Sequence, residues 1–137
     1  MLEAITAMAS VIGDPYLLML IAVTTVLGIV IGVLPGLGAT TGAALLLPFT
    51  LTMSPVNAIA VLATLYVSAT FAGSITAILI NTPGTSAAAA TTFDGFPLAQ
   101  RGEAGRALGI AVVSSTIGGI FSIIVLCLAA PLLARVA

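Results

Sequence analysis

Histidine, tryptophan and lysine are absent from this sequence, and cysteine occurs once. With no histidine, and with Cys127 alone inside the apolar run VLCLAA, neither a disulfide nor a zinc or iron cluster can be assembled within the chain. The lack of lysine leaves no basic surface for nucleic acid. There is no glycine-framed serine nucleophile, no carboxylate pair in an apolar core and no phosphate-binding loop, so an enzyme is not expected. No cofactor is implied either. Tyr16 and Tyr66 are the only polar-tipped aromatics available for an interfacial belt. Formal charge is confined to Glu3, Asp14, Asp94, Arg101, Glu103, Arg106 and Arg135, and the net charge of −1 points to no partner.

What is present is apolar. Hydrophobic residues make up 61% of the chain and charged ones 5%, with a mean hydropathy of +1.34, well outside the range of soluble domains. This composition specifies an all-α integral membrane protein in contact with the lipid bilayer. Residues 1–137 read as one membrane domain with no soluble domain. The N-terminus carries Glu3 and no positive n-region, so the first apolar stretch is expected to be a retained helix, preceded by an amphipathic lead-in at Leu2–Ile12.

Tyr16–Leu34 is free of charge and, at the helical rise, roughly 28 Å long, one bilayer crossing. Asp14 and Pro15 open it as cap and first-turn proline. Gly28, Gly32 and Gly36 fall at i, i+4 and i+8, a stripe that serves as a packing seam or as a surface that slides. Pro35-Gly36-Leu37-Gly38 then breaks the helix, because proline lacks a donor and glycine makes the helical state costly. Ala39–Phe49 could add about three helical turns before Pro48 and Pro55 interrupt, too short to cross comfortably. A re-entrant or broken segment after Leu34 is therefore expected, with Thr50, Thr52 and Ser54 leading to a cap at Pro55–Asn57.

Val56–Ile80 is longer than one crossing requires and grows polar in its second half, which suggests a tilted or interrupted helix around Ala72-Gly73-Ser74. A second break follows at Asn81-Thr82-Pro83-Gly84. Thr85–Phe93 reads as a half-helix capped by Thr85 or Ser86, Asp94-Gly95 as a turn, and Pro97 as the start of another short helix. Pro97–Ala107 holds Arg101, Glu103 and Arg106 and is the one water-loving interior stretch, expected on the cytoplasmic side. Leu108–Ala134 completes about three crossings, with Arg135 at its exit. The hydroxyls of Ser114, Ser115 and Thr116 can bond within the helix or to a neighbour.

The two breaks share Pro-Gly followed by small and hydroxyl residues, the pattern of interrupted helices meeting at a membrane binding site. Freed backbone N–H groups at half-helix starts can hold an anion without a buried base, and freed carbonyls with Thr or Ser hydroxyls can hold a sodium ion. On that reading the site residues are Gly36, Gly38, Thr40, Thr41, Ser74, Asn81, Thr82, Gly84, Thr85 and Ser86. The alternative is that each Pro-Gly pair is a turn at the membrane surface. Asp94, as part of Asp94-Gly95, reads first as a turn residue and only second as a gating or cation-linked carboxylate. A channel would need a charged ring or a repeated carbonyl filter, and neither is present.

GIVIGVLPGLGATTGAALLLPFT and YVSATFAGSITAILINTPGTSAAAATTFDGFPLAQRGEAGRALGIA, about Gly28–Thr50 and Tyr66–Ala111, strongly resemble the large permease subunit of tripartite tricarboxylate transporters. The resemblance implies a bacterial inner-membrane, multi-pass secondary transporter that takes up carboxylates on a gradient of Na+ or H+. It implies as partners a periplasmic solute-binding protein and a small membrane subunit. Carried onto this sequence, the family motif adds Pro35, Gly73, Pro83, Asp94 and Gly95 to the glycines and Asn81 already named. Ala72 stands where glycine is frequent in that family. Family permeases are longer and contain a second, related half, so the chain is expected to be the N-terminal half, or first repeat: a fragment, a split subunit or a truncated form. A non-transporting assembly subunit that docks onto a partner half is the alternative function.

Overall fold

The computed structural model describes residues 13–133, with side chains to Ala129. The amphipathic lead-in at Leu2–Ile12, the last residue of the final span and Arg135 lie outside the described residues. Among the described residues, five α-helices follow one another from Pro15: α1 (Pro15–Val33), α2 (Gly38–Thr50), α3 (Pro55–Ile80), α4 (Thr91–Leu98) and α5 (Ala104–Leu133). A 3-10 turn at Ser86–Ala90 precedes α4, a π turn at Ala99–Glu103 follows it, and no strand occurs among the described residues. Among the described residues, three helical runs are long and apolar enough to cross a membrane: Pro15–Val33, Pro55–Ile80 and Ser86–Ala129.

The expected starts are built as the sequence dictates. The Asp14 carboxylate accepts from the Tyr16 N–H at 2.9 Å, with Pro15 in the first turn. Ser54 caps α3 by accepting from the Asn57 N–H at 3.4 Å, and Pro55 follows it. The helix of α1 stops at Val33 and the chain breaks at Pro35–Leu37, where Gly36 adopts φ +93°.

α3 is the hub, packing against every other helix. Leu65, Ala69, Ala72 and Ala77 on it are completely buried. α1 runs alongside in the same direction, with Gly28 over Leu65 and Ser68 and Gly32 over Ala69. A Cβ on Gly28 would overlap the Ser68 hydroxyl, and one on Gly32 the Ala69 backbone. This is the small-residue seam of close helix approach. Gly36 is not part of it, because the break carries it beyond the end of α1 into open space. α2 folds back along the pair, Gly42 meeting Ile31 and Leu65.

Four local expectations are corrected. α3 runs unbroken through Ala72-Gly73-Ser74. Its hydroxyls close on the helix's own carbonyls (Thr70 on Tyr66 at 2.7 Å, Thr76 on Gly73 at 3.1 Å), so the polar second half needs no break. Gly73 instead receives the returning chain, since a Cβ there would lie 2.8 Å from the Thr85 nitrogen. Pro48 lies inside α2, whose last turn continues to Thr50, with the Thr50 hydroxyl donating to the Leu47 carbonyl at 2.8 Å. Asp94-Gly95 is helical, within α4. Gly95 is there for contact, because a Cβ would sit 2.7 Å from Cγ1 of Ile78. Pro97 lies near the end of α4 rather than at a helix start, and the chain bends at Gly102, whose φ of +83° glycine reaches without steric cost.

The second break makes a re-entrant hairpin. Asn81 terminates α3 in the left-handed conformation, φ 55°, and the N–H groups of Asn81 and Thr82 converge on the Thr76 carbonyl. Asparagine tolerates that backbone better than most residues. The chain then turns back, and the Gly84 N–H donates to the Gly73 carbonyl at 3.3 Å. Gly73 lies seven helical steps before Ile80, so Gly84 lies about 10 Å below the end of α3. The 3-10 turn lies deeper, with Ala87 and Ala88 beside Tyr66 and Phe71, and α4 climbs back toward Ile78.

Candidate functional site

The returning hairpin brings the two Pro-Gly breaks to one place. Gly36, Gly38, Thr40 and Thr41 from the first and Gly84, Thr85 and Ser86 from the second line a common cavity of ≈ 330 Å³. That is within the size range of small-molecule sites. Tyr66 and Thr70, one turn apart on α3, complete the wall, with Leu37, Ala39 and Ala87. Tyr66 and Thr70 fall at the middle of the 26-residue α3. The cavity therefore lies near the midpoint of α3, the level at which interrupted helices build sites in transporters.

Each side of the cavity has its own chemistry. No side chain caps α2, and its first N–H groups, from Gly38 onward, are left without intrahelical partners where they meet the cavity. The hydroxyls of Thr40 and Thr41 lie in the same turn. On the other side the Gly84 N–H is already bound to Gly73, which leaves that glycine a spacer. A Cβ on it would overlap the Gly32 carbonyl and crowd the Gly73 Cα at 2.9 Å. Thr85 occupies the N-cap position of the 3-10 turn, yet its hydroxyl caps nothing. Its oxygen is buried without a hydrogen-bond partner among the described residues, a state that costs about 1–3 kcal/mol unless something else satisfies it. No side chain lining the cavity carries a formal charge.

The remaining expected residues lie elsewhere. Pro35 shapes the first break, and Asn81, Thr82 and Pro83 shape the second, without lining the cavity. Ser74 and Asp94 line a neighbouring cavity of ≈ 340 Å³ between α3, α4 and α5. Tyr66 and Thr70 are the wall residues that sequence reasoning left out of the site. Their signal was present as hydroxyl-bearing residues at i and i+4, in step with Gly73 and Ser74 one to two turns on. Arg101 stands apart in the π turn, and Arg106 pairs with Glu103 at 2.8 Å on an exposed surface.

Among the described residues no three His, Cys, Asp or Glu side chains gather into a metal cluster. No solved structure matches the chain. A protein of Agrobacterium vitis named as an uncharacterized 52.8 kDa protein in the TAR-I ttuC′ 3′ region is 47% identical over 115 residues. That match covers 84% of this chain and 23% of the relative, so the chain spans about a quarter of the protein it matches. The profile of the tripartite tricarboxylate transporter TctA family matches residues 18–137, nearly the whole of the chain, including both breaks and the hairpin that the second one makes. The chain belongs to the tripartite tricarboxylate transporter TctA family.

Proposed function

We propose that the chain supplies half of a carboxylate site in a secondary transporter permease of the bacterial inner membrane. The transporter takes its substrate, a tricarboxylate or related carboxylate, from a periplasmic solute-binding protein. It works beside a small membrane subunit and draws on an ion gradient. The observation that carries this reading is the meeting of both Pro-Gly breaks at one uncharged cavity near the middle of α3.

The chemistry suits an anion that must be released again. The uncapped start of α2 presents backbone N–H groups and the positive end of a 13-residue helix dipole. Hydrogen bonds to a charged group contribute about 1.5–3 kcal/mol each, and the dipole about 0.3–2 kcal/mol. Several such donors together offset the cost of dehydrating a carboxylate. Thr40, Thr41, Tyr66 and Thr85 add hydroxyls around the same space. The second, related half of a complete permease supplies the other wall. The Asp94–Arg106 segment faces the cytoplasm, since it holds both arginines among the described residues.

Uptake of a labelled tricarboxylate into proteoliposomes tests this reading, using the complete permease with its small subunit and binding protein. Thr40→Val and Thr41→Val together are expected to lower uptake by roughly tenfold or more at normal protein level, the loss of about one charge-assisted hydrogen bond. Unchanged uptake in that variant would remove the site from the cavity.

A further inference from the structure

α5 begins inside the bundle and then leaves it. Ala107 is buried and Ala111 partly covered beside α3 and α4, yet every residue from Val112 to Leu128 is exposed. That stretch is about 25 Å long at the helical rise, most of the apolar thickness of a bilayer. Side-chain size divides it lengthwise. Ala107, Ala111, Ser114, Gly118 and Ser122, at spacings of four, three, four and four, form one face, with Ser115 at its edge. Val113, Ile117, Ile120, Ile123, Ile124 and Leu128 lie on the remaining surface.

The small face differs from a surface made for lipid in three ways. It continues a packing seam already formed at Ala107, and Ser115 lines a groove with Tyr66, Thr70 and Ser74 of α3. Its hydroxyls are unspent. Thr116, on the far side of α5, closes onto the Val112 carbonyl at 2.8 Å, whereas Ser114, Ser115 and Ser122 make no such bond among the described residues. Its glycine is also unexplained by the bundle. Gly28, Gly32, Gly73 and Gly95, each inside a helix, would all bring a Cβ to 3.0 Å or closer of another element, while Gly118 meets nothing. A glycine inside a helix weakens it, and in α1, α3 and α4 that weakness accompanies close approach. Small residues and hydroxyls that bond across a seam are what helices present to one another in a membrane.

The length of the matched relative points to the occupant. More than three quarters of that protein lies outside the match, enough chain for several further crossings of about 20 residues each. We propose that the small face of α5, from Ser114 to Ser122, is the docking surface for a transmembrane helix of the remaining permease chain. That helix enters between α5 and the Tyr66–Ser74 stretch of α3. It thereby covers the groove that shares Tyr66, Thr70 and Ala87 with the carboxylate cavity. The isoleucine-rich side of α5 stays against lipid. The inference rests on the family membership and not on the carboxylate reading.

A photoactivatable diazirine amino acid at Ser122 or Ile124 tests it, in the complete permease held with its small subunit in phosphatidylcholine nanodiscs. Adducts are located by mass spectrometry. From Ser122 a cross-link to permease residues beyond this chain is expected, in a product that runs as a single permease polypeptide; from Ile124, lipid adducts. Lipid adducts alone from Ser122, or cross-links to the small subunit or to a second permease copy, would overturn the proposal. Thermal unfolding gives an independent reading through its sign. Leucine is a better helix former than glycine, so on a lipid face Gly118→Leu would melt at the wild-type temperature or higher. Against a docked helix it overpacks and is expected to melt a few degrees lower, while Thr116→Leu on the far side does not. A Gly118→Leu permease at least as stable as wild type would overturn the proposal. Unchanged uptake in the Thr40→Val, Thr41→Val variant, with Ser122 cross-linking as expected, would refute the carboxylate reading and leave this interface standing.

Discussion

The first break, at Pro35–Gly38, and the second, at Asn81–Gly84, share a Pro-Gly pair followed by small and hydroxyl residues and are opposites in construction. Gly36 and Gly38 have positive φ, +93° and +55°, and empty space where a side chain would go. Gly84 has ordinary φ and no room at all, wedged between the Gly32 carbonyl and Gly73. The first pair of glycines answers to backbone conformation, the second to packing. One break thus presents free N–H groups, while the other is pinned to α3 through the Gly84–Gly73 hydrogen bond and serves as a wall. Similar breaks need not share a role: what the local backbone touches decides whether its polar groups are left for a ligand.

The contrast is tested most severely by valine at the wedged position. Gly84→Val is expected to abolish folding or insertion, since the clash is with main chain, and overpacking costs of about 1–3 kcal/mol or more apply even where side chains can move. Protein level and thermal unfolding in detergent read this out, and a normally folded Gly84→Val would break the packing half of the comparison. Gly36→Ala meets no atoms but must hold a left-handed backbone, at about 1–2 kcal/mol. It should insert normally and melt a few degrees lower. A loss as large as that of Gly84→Val would erase the distinction between the breaks.

Thr85→Val sharpens the wall itself. Removing a buried hydroxyl without a partner is expected to leave stability unchanged or raise it by up to about 1 kcal/mol, while uptake falls. A drop in stability would show that the hydroxyl is bonded within the protein. The smallest effects belong to the charged surface outside both breaks. Arg106→Ala removes an exposed i,i+3 pair that contributes at most about 0.5 kcal/mol, and neither stability nor uptake should change measurably.

Membrane character, helix starts and breaks were legible in the sequence because each rests on a local rule. Asp14-Pro15 and Ser54-Pro55 carry their caps with them, and no neighbour is needed to read them. The hairpin was not legible, because Gly95 and Gly73 look like helix breakers until Ile78 and Thr85 are placed against them. In both cases the missing side chain lets another element approach, and helical geometry is kept. Gly36 shows the reverse error: its spacing fits the Gly28–Gly32 seam, but the helix ends before it arrives. Seven of the expected site residues do line one cavity, because the rule that uncapped helix starts seek partners is also local. Tyr66 and Thr70 join only through the tertiary fold.

The central claim is that both breaks serve one ligand. Thr40→Cys and Ser86→Cys, each placed singly in a Cys127→Ser background of the complete permease, report on the two sides of the cavity, since Cys127 is the exposed native thiol. Reaction with a small polar thiol reagent in nanodiscs is measured against rising tricarboxylate. The account predicts that both positions label and that the same carboxylate protects both, with the same half-saturating concentration. Protection of one position alone, or of neither while uptake persists, would contradict it.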